Sequence, residues 1–453
     1  MGFGVVLKNI LRSCVRKMNY KLSGRLLRLS NFIREIILSN DSIYYGQVHK
    51  RMNVDSILSK SYSICKNANE NDLFDCSENY LGKNNGRKKV RIVYPSGTSW
   101  NSIGSICDAI FNDDCYDMLV LVENYPRYVN IVREHKTRYC LLDKYDLKND
   151  KPDLLIATSY SSSPKQISFE GCRDYIKLLI SAFPNVVVNE PSIEYHWSLV
   201  NKAYRFFQPD YYIFDKLLLH SAYGYISKNR IVEIGNPQFD DLFKKMNSSF
   251  EYPNQWNKLK NKKVFLWATD HGLRDDNRIE GTSVDLYISE LIHFFEKKKD
   301  IGLIIRFHPF LIRELTTGSF FWSYSDFQKL KAFCMNSQNI VWDESTDYSI
   351  SFNISDALLV DVNCSFIISY LVTGKPICRL MRNDCPVHLI HEELKDSYDY
   401  AYDFSQCVDF IERVIEEKDT KKEAREAAFK ESIMYYDGNN GKRIKKFIDD
   451  TLK

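Results

Sequence analysis

Residues 354–377 constrain the fold more than any other stretch of this chain. Residues 357–360 are a short apolar run, of the length typical of a buried parallel strand, and the run stops at Asp361. Small and polar residues follow, and residues 366–372 then have the apolar spacing of a helix that Gly374 ends. This order of strand, polar turn and helix predicts one unit of a doubly wound α/β sheet.

The polar turn of this unit contains Asp361, Asn363 and Ser365. In a doubly wound sheet, ligands bind beyond the carboxyl ends of the strands, where the next helix presents unpaired backbone N–H groups that suit a phosphate. An ordinary capped helix explains the same residues equally well, because Asn and Ser are also good N-caps. Both interpretations stay open at this point.

The same alternation of short apolar runs and helical segments recurs along the chain. It predicts two successive parallel sheets, and hence two Rossmann-like domains that face a cleft. The tight turn at residues 235–240 is expected to lead from one domain to the other, and residues 412–449 are expected to be largely helical and to pack across both. Strands are predicted at 90–94, 118–122, 154–157, 185–189, 211–214 and 230–234, and then at 263–268, 301–306, 340–342 and 357–360.

Composition excludes several classes of protein. A hydrophobic share of 44% and a charged share of 27% are typical of a globular chain, and a net charge of +3 is too small to indicate a nucleic-acid partner. The 12 cysteines form no C-x-x-C pair, and no secretory signal is evident, so we expect reduced thiols in a cytoplasmic protein. No apolar run approaches the length of about 18 residues that a membrane-spanning helix needs. No cluster has the spacing of a zinc site, so we expect neither a metal nor a cofactor.

Residues 1–40 are predicted to form a basic amphipathic helical extension, and residues 41–88 an irregular linker. Apolar side chains recur at helical spacing, while Glu35 is the only acidic residue. Such a helix suits the surface of an anionic membrane. A helix packed on the protein with solvated charges is the alternative. The basic residues are Lys8, Arg12, Arg16, Lys17, Lys21, Arg25, Arg28 and Arg34.

Strand ends of the second predicted sheet carry the candidate ligand-binding residues. Cationic, imidazole and small hydroxyl groups that converge at one sheet edge suit a phosphate-bearing ligand. The candidates are His271, His308, Asp361, Asn363 and Ser365, with Arg306 and Lys375 as fixed positive charges.

In the first half of the chain, Glu190 and His196 follow the strand predicted at residues 185–189. Either could serve as a catalytic base, since general-base chemistry favours a group that titrates near neutral pH. His196 could equally be an ordinary core or surface histidine.

Several motifs in the second half of the chain resemble those of the CDP-glycerol glycerophosphotransferases, which include teichoic-acid polymerases and capsule-type enzymes. They occur in the family's order over about residues 230–447. The sequence R-F-H-P at 306–309 resembles the family's R/K-x-H-P, and L-W-A-T-D-H at 266–271 is similar to a strand that ends in W-x-P-x-H. The others are residues 235–240 (G-x-P-R-x-D), 355–365 with 374–376 (S/A-D-x-L-I-T-D-x-S-S…G-K-P) and 437–444 (D-G-x-x-x-x-R-I).

The resemblance implies a GT-B fold, with residues 89–240 as an acceptor domain and residues 241–453 as a donor-nucleotide domain that includes the C-terminal helices. It also implies transfer of a polyol phosphate from a CDP-linked donor to a hydroxyl of a cell-surface glycan or a lipid-linked acceptor, at the inner face of the cell membrane. His308 would act with His196 or Glu190 as base. The donor contacts would be Arg306, His271, Asp361, Asn363, Ser365 and Lys375.

Two departures from the family pattern concern the site. The H-G-T…K element of the first domain is absent, and Glu190 and His196 stand near its place. Asn363-Cys364-Ser365 stands where relatives often have Ser-Ser. Two other functions therefore stay open: a GT-B glycosyltransferase that uses a nucleotide sugar in surface-polysaccharide synthesis, and a non-catalytic scaffold associated with the membrane.

Overall fold

The computed structural model describes residues 86–94, 99–124, 126–157, 176–180, 211–214, 231–270, 282–309, 311–312, 324–345, 347–361, 364–382 and 392–453. The predicted N-terminal helix, most of the predicted linker and the strand predicted at 185–189 lie outside these residues.

The described strands form two parallel sheets, one of seven strands and one of six. The first contains β1 (Lys88–Tyr94), β2 (Tyr116–Val122), β3 (Tyr139–Leu141), β4 (Leu154–Ala157), β5 (Ile176–Ile180), β6 (Tyr211–Phe214) and β7 (Ile231–Glu233). The second contains β8 (Lys263–Ala268), β9 (Ile301–Arg306), β10 (Ile340–Trp342), β11 (Ala357–Asp361), β12 (Ile377–Leu380) and β13 (Asp399–Ala401).

Both sheets have the same strand order. The first runs β3-β2-β1-β4-β5-β6-β7 and the second runs β10-β9-β8-β11-β12-β13. This is the doubly wound order, in which the direction of winding reverses beside the first strand of each sheet. The predicted alternation of strands and helices is confirmed, although β3, β5, β12 and β13 were not predicted.

Helices join the strands and cover the sheets. They are α1 (Gly104–Phe111), α2 (Pro126–Glu134), α3 (Leu147–Asp150), α4 (Gln238–Met246), α5 (Val284–Lys297), α6 (Tyr324–Asn336), α7 (Ser349–Ile354), α8 (Phe366–Tyr370), α9 (Phe404–Ile415), α10 (Lys422–Ser432) and α11 (Asn440–Thr451). Short 3₁₀ helices occur at Trp100–Ser102, Leu142–Lys144, Asn254–Leu259, Leu371–Thr373 and Glu392–Ser397. In the part of the chain that the structure describes, no helix is both long and apolar enough to cross a bilayer.

The strands of the second sheet are apolar at most positions, and all five residues of β11 are buried, as expected of a parallel sheet that is covered on both faces. Successive side chains point to opposite faces, so Phe265 and Trp267 pack beneath α5 and α9 in one core. Val264 and Leu266 enter a second core with residues of α4, α7 and α8. The two cores, one on each face of the sheet, hold the strands so that their carboxyl ends lie side by side.

The last helix packs on the first sheet. Ile444 and Ile448 of α11, with Leu452 directly after the helix, lie in the same core as Ile103 and Ile106, beside α1. The predicted boundaries assigned residues 241–453 to the second domain as a whole. The structure instead returns the chain to the first domain at α11, because the apolar face of this helix completes that core.

Candidate functional site

The winding of the second sheet reverses between β8 and β11, which are neighbours in the sheet although β9 and β10 come between them in the chain. Open α/β sheets bind ligands in the crevice outside the carboxyl ends of the strands at such a point. Thr269 follows β8 directly, and Asp361 is the last residue of β11. The candidate site is therefore the edge formed by the ends of β9, β8 and β11.

Hydrogen bonds connect these three strand ends. The backbone N–H of His308, beyond β9, donates to Oγ1 of Thr269 at 3.1 Å. The thiol of Cys364, beyond β11, donates to the carbonyl of Thr269 at 3.8 Å. Burial raises the pKa of Cys364 well above its ordinary value, so the thiol keeps its proton. Ser365 follows Cys364 and is partly exposed, as is His308, so both predicted residues lie on the same sheet edge.

Arg306 ends β9, but its guanidinium is occupied by protein groups. Nη1 contacts Oδ2 of the buried Asp343 at 2.5 Å, and Nη2 donates to the carbonyl of Ser345 at 2.8 Å. Its Cζ also lies 5.8 Å from the ring centroid of Phe366, the residue after Ser365. Arg306 therefore ties the end of β9 to the segment after β10 and lies beside the start of α8, and Asp343 balances much of its charge.

Asp361 is completely buried. Its carboxylate accepts a hydrogen bond of 2.9 Å from the backbone N–H of Asp270, and the hydroxyl of Ser283 also donates to it. Burial raises the pKa of Asp361 to about 7. The predicted donor contact is thus turned inward, where it joins the residue after Thr269 to the start of α5. Its effect on a ligand would be indirect.

Lys375 lies apart from the other candidates. It precedes β12, whose register with β11 pairs Ile377 with Leu358, so Lys375 is at the amino ends of the strands. Its ammonium donates to three carbonyls at the end of α7, those of Phe352 (2.8 Å), Asn353 (3.1 Å) and Ser355 (2.5 Å). The prediction of a donor contact at Lys375 is therefore not supported, because the Gly-Lys-Pro turn returns the chain to the opposite edge.

The remaining candidates, His271, Asn363, His196 and Glu190, lie outside the described residues. Their roles stay predictions.

Sequence reasoning missed Thr269, Ser283 and Asp343. Asp343 follows β10 directly, so the rule that polar residues at strand ends face ligands could have identified it. Ser283 precedes α5, where a helix start favours a hydroxyl residue. Thr269 lies between the ends of β9 and β11 only because β8 pairs with both of these strands. The sequence alone does not show that pairing.

Comparison with known families identifies the family to which this chain belongs. A family model described as CDP-glycerol:poly(glycerophosphate) glycerophosphotransferase matches residues 213–450, more than half of the 453-residue chain. The chain belongs to this family. The resemblance noted from the motifs is confirmed, and so is the prediction of a transferase that uses a CDP-linked polyol phosphate. A search of curated protein sequences gave no match.

Several solved structures have a similar fold. A variant of the wall teichoic acid polymerase TagF has a TM-score of 0.57 at 13% identity, with 81% of this chain and 89% of that chain covered. A His-to-Asn TagF variant soaked with CDPG has a TM-score of 0.55 at 14% identity, with 81% and 89% covered. The MnaA–UDP structure from S. aureus has a TM-score of 0.57 at 12% identity, with 81% and 97% covered. The likeness shows a shared GT-B-like fold, as predicted.

Proposed function

We propose that this glycerophosphotransferase moves glycerol phosphate, or a similar polyol phosphate, onto a hydroxyl of a cell-surface glycan or a lipid-linked acceptor such as a growing teichoic acid. The donor would lie across the carboxyl ends of β9, β8 and β11. The family membership supports the donor class, and TagF, which shares the fold, has been soaked with CDPG.

One observation carries the location of this site. His308 and Ser365 both lie at the point where the second sheet reverses, and Thr269 contacts the backbone of His308 and the thiol before Ser365. An imidazole N–H and a hydroxyl are hydrogen-bond donors that suit phosphate oxygens. Because both side chains are partly exposed, a diphosphate could reach them without any rearrangement of the core.

The proposed reaction is an in-line displacement at the β-phosphorus of the CDP-linked donor. The acceptor oxygen forms a bond to this phosphorus while the bond to the oxygen that bridges the two phosphates breaks, and CMP leaves. His308 and Ser365 would stabilise the charge that develops on the phosphate oxygens, since positioning and electrostatics dominate phosphoryl transfer. Arg306 would act indirectly, by holding the end of β9 to the segment that follows β10.

Other residues enter the proposal from sequence alone. His196 or Glu190 would accept the proton of the acceptor hydroxyl, and His271 and Asn363 would contact the donor. The position of each residue after a predicted strand supports these assignments, and His271 also lies in one of the segments that resemble family motifs.

We further propose that the protein is cytoplasmic and binds the inner face of the cell membrane through residues 1–40. The one-sided positive charge of this segment supports the assignment. Flotation of the full chain with anionic and with neutral vesicles tests it. Replacement of Arg12, Arg16 and Lys17 by Gln is expected to weaken binding to the anionic vesicles only, and equal binding to both would contradict the proposal.

Turnover assays test the reaction itself. The purified chain is incubated with poly(glycerophosphate) as acceptor and with CDP-glycerol, CDP-ribitol or UDP-sugars as donor, and the released nucleotide is identified. We expect CMP from a CDP-polyol. Release of UDP from a sugar donor would instead favour a glycosyltransferase. No release, together with no stabilisation of the fold by any nucleotide, would favour a scaffold.

A further inference from the structure

We propose that Thr269 is a positioning residue for the transfer reaction, which acts by fixing the backbone that carries His308. The inference rests on the proposed function, because it assigns Thr269 a role through the imidazole that contacts the donor there. Thr269 is buried, with 2% of its surface exposed, so its contacts are with the protein and not with solvent.

Thr269 bonds to the end of β9 at two places. Its backbone N–H donates to the carbonyl of Arg306 at 3.2 Å, which completes the last pair of β8 with β9, Ala268 with Arg306. Its hydroxyl then accepts the N–H of His308 at 3.1 Å. The chain leaving β9 is therefore held at two residues on either side of Phe307.

The backbone of His308 is restrained from three directions. Its N–H is held by Thr269, and its carbonyl accepts the N–H of Ile312 at 3.1 Å. Pro309 follows, and a proline restricts the φ and ψ angles of the residue before it. Of these restraints, the hydroxyl of Thr269 is the one that links His308 to β8 and, through the carbonyl of the same residue, to Cys364 beside Ser365.

The related family motif, W-x-P-x-H, has proline where Trp267-Ala268-Thr269-Asp270-His271 has threonine. Proline has neither a backbone N–H nor a hydroxyl, so neither of the two hydrogen bonds to β9 could form. Threonine at this position therefore allows both hydrogen bonds to the chain at the end of β9.

A pair of substitutions separates the hydroxyl from the rest of the side chain. Thr269→Val keeps the shape and loses the hydroxyl, whereas Thr269→Ser keeps the hydroxyl and loses a methyl group. With CDP-glycerol and poly(glycerophosphate), we expect Thr269→Val to lower kcat by about 10- to 100-fold, because small displacements of a reacting group are costly. KM for the donor should change much less, and Thr269→Ser should retain kcat near that of the unaltered chain. Equal kcat values for both variants would overturn the proposal.

A second measurement does not depend on turnover. The ring signals of His308 are recorded by NMR on the histidine-labelled full chain and assigned by comparison with His308→Asn. We expect these signals to shift in Thr269→Val and to stay in place in Thr269→Ser. Unchanged signals in both variants would refute the proposal even if the enzyme is active. If the unaltered chain releases no CMP, the proposed function fails, and the NMR comparison alone then decides whether Thr269 positions His308.

Discussion

Asp240 accepts a hydrogen bond of 2.7 Å from the backbone N–H of Gly441, which lies 201 residues later in the chain. A second bond of 2.8 Å comes from the N–H of Asn440. These N–H groups belong to the first turn of α11, where a helix lacks internal partners and favours negative charge. Asp240 lies on α4, which packs on the second sheet, whereas α11 packs on the first. The family motifs at 235–240 and 437–444 therefore meet as a link between the two sheets.

Replacement of Asp240 by Asn is expected to weaken this link. One oxygen remains to accept a bond, but the amide group faces the second N–H and the charge is lost. We expect the free energy of unfolding to fall by about 1.5–3 kcal/mol, the range for hydrogen bonds to charged groups. Urea unfolding measures this. The neighbouring Asp241 forms an i,i+4 pair with Lys245, so Asp241→Asn should cost no more than about 0.5 kcal/mol. Similar losses for both variants would show that Asp240 has no special role.

Gly441 is required at this link because no side chain fits there. A Cβ atom at Gly441 would lie 2.3 Å from the carbonyl oxygen of Ser105, a backbone atom that cannot turn aside. We expect Gly441→Ala to lower the free energy of unfolding by about 1–3 kcal/mol or more, as overpacking does. Lys442→Ala, at the exposed next position, is the control and should have little effect. A fully stable Gly441→Ala protein would mean that α11 does not pack this closely in solution.

The sequence was informative wherever a local pattern decided the structure. Apolar runs located β8, β9 and β11, and the polar residues after them predicted the sheet edge that remains the candidate site. Residues 412–449 were expected to pack across both domains, but the sequence did not show that α11 is the helix that packs on the first sheet, because its apolar stripe would fit the core of either domain. Lys375 was misplaced for a related reason. A lysine near a glycine turn suggests an anion contact, but only the register of β12 shows that this turn lies at the opposite edge. The contacts of Thr269 likewise depend on which strands pair.

Asp361 gives the unfolding free energy a distinct dependence on pH. Burial raises its pKa from 3.8 to about 7, so between these values the folded state keeps a proton that the unfolded chain has released. Stability from this group is therefore present at low pH and is lost as pH rises through the window, by up to about 1.4 kcal/mol per unit. Asp361→Asn removes the effect. The free energy of unfolding of Asp361→Asn, minus that of the unaltered chain, should therefore increase as the pH is raised from 5 to 8.

Urea unfolding at several pH values tests this relation. The control is Asp114→Asn, because the side chain of Asp114 is 97% exposed and its replacement should give a difference that hardly varies with pH. If the stability difference between Asp361→Asn and the unaltered chain is constant from pH 5 to pH 8, the carboxyl group titrates near its ordinary value and the buried arrangement is wrong.

Lys375 is expected to matter for stability and not for donor binding. Lys375→Met keeps the aliphatic stem but leaves the carbonyls at the end of α7 without the ammonium, so we expect a loss of about 1–3 kcal/mol in the free energy of unfolding. Lys446→Met, on the exposed side of α11, is the control and should cost little. Calorimetric titration with CDP-glycerol should give the same Kd for both variants. A higher Kd in Lys375→Met alone would show that Lys375 contributes to donor binding.

His308 gives the most direct test of the proposed chemistry. Its imidazole is partly exposed and its backbone is held by Thr269 and Ile312, so removal of the side chain leaves the hydrogen bonds that shape the strand end intact. We expect His308→Ala to reduce CMP release by about 100-fold or more, the range for loss of one group that stabilises transition-state charge. The thermal unfolding midpoint should change by only a few degrees. His293, on the helix behind the sheet, is the matched control, because His293→Ala removes an imidazole at a distance from the strand ends. Full turnover by His308→Ala would show that the imidazole takes no part in the reaction. Equal losses of CMP release in His308→Ala and His293→Ala would point to a general effect on folding.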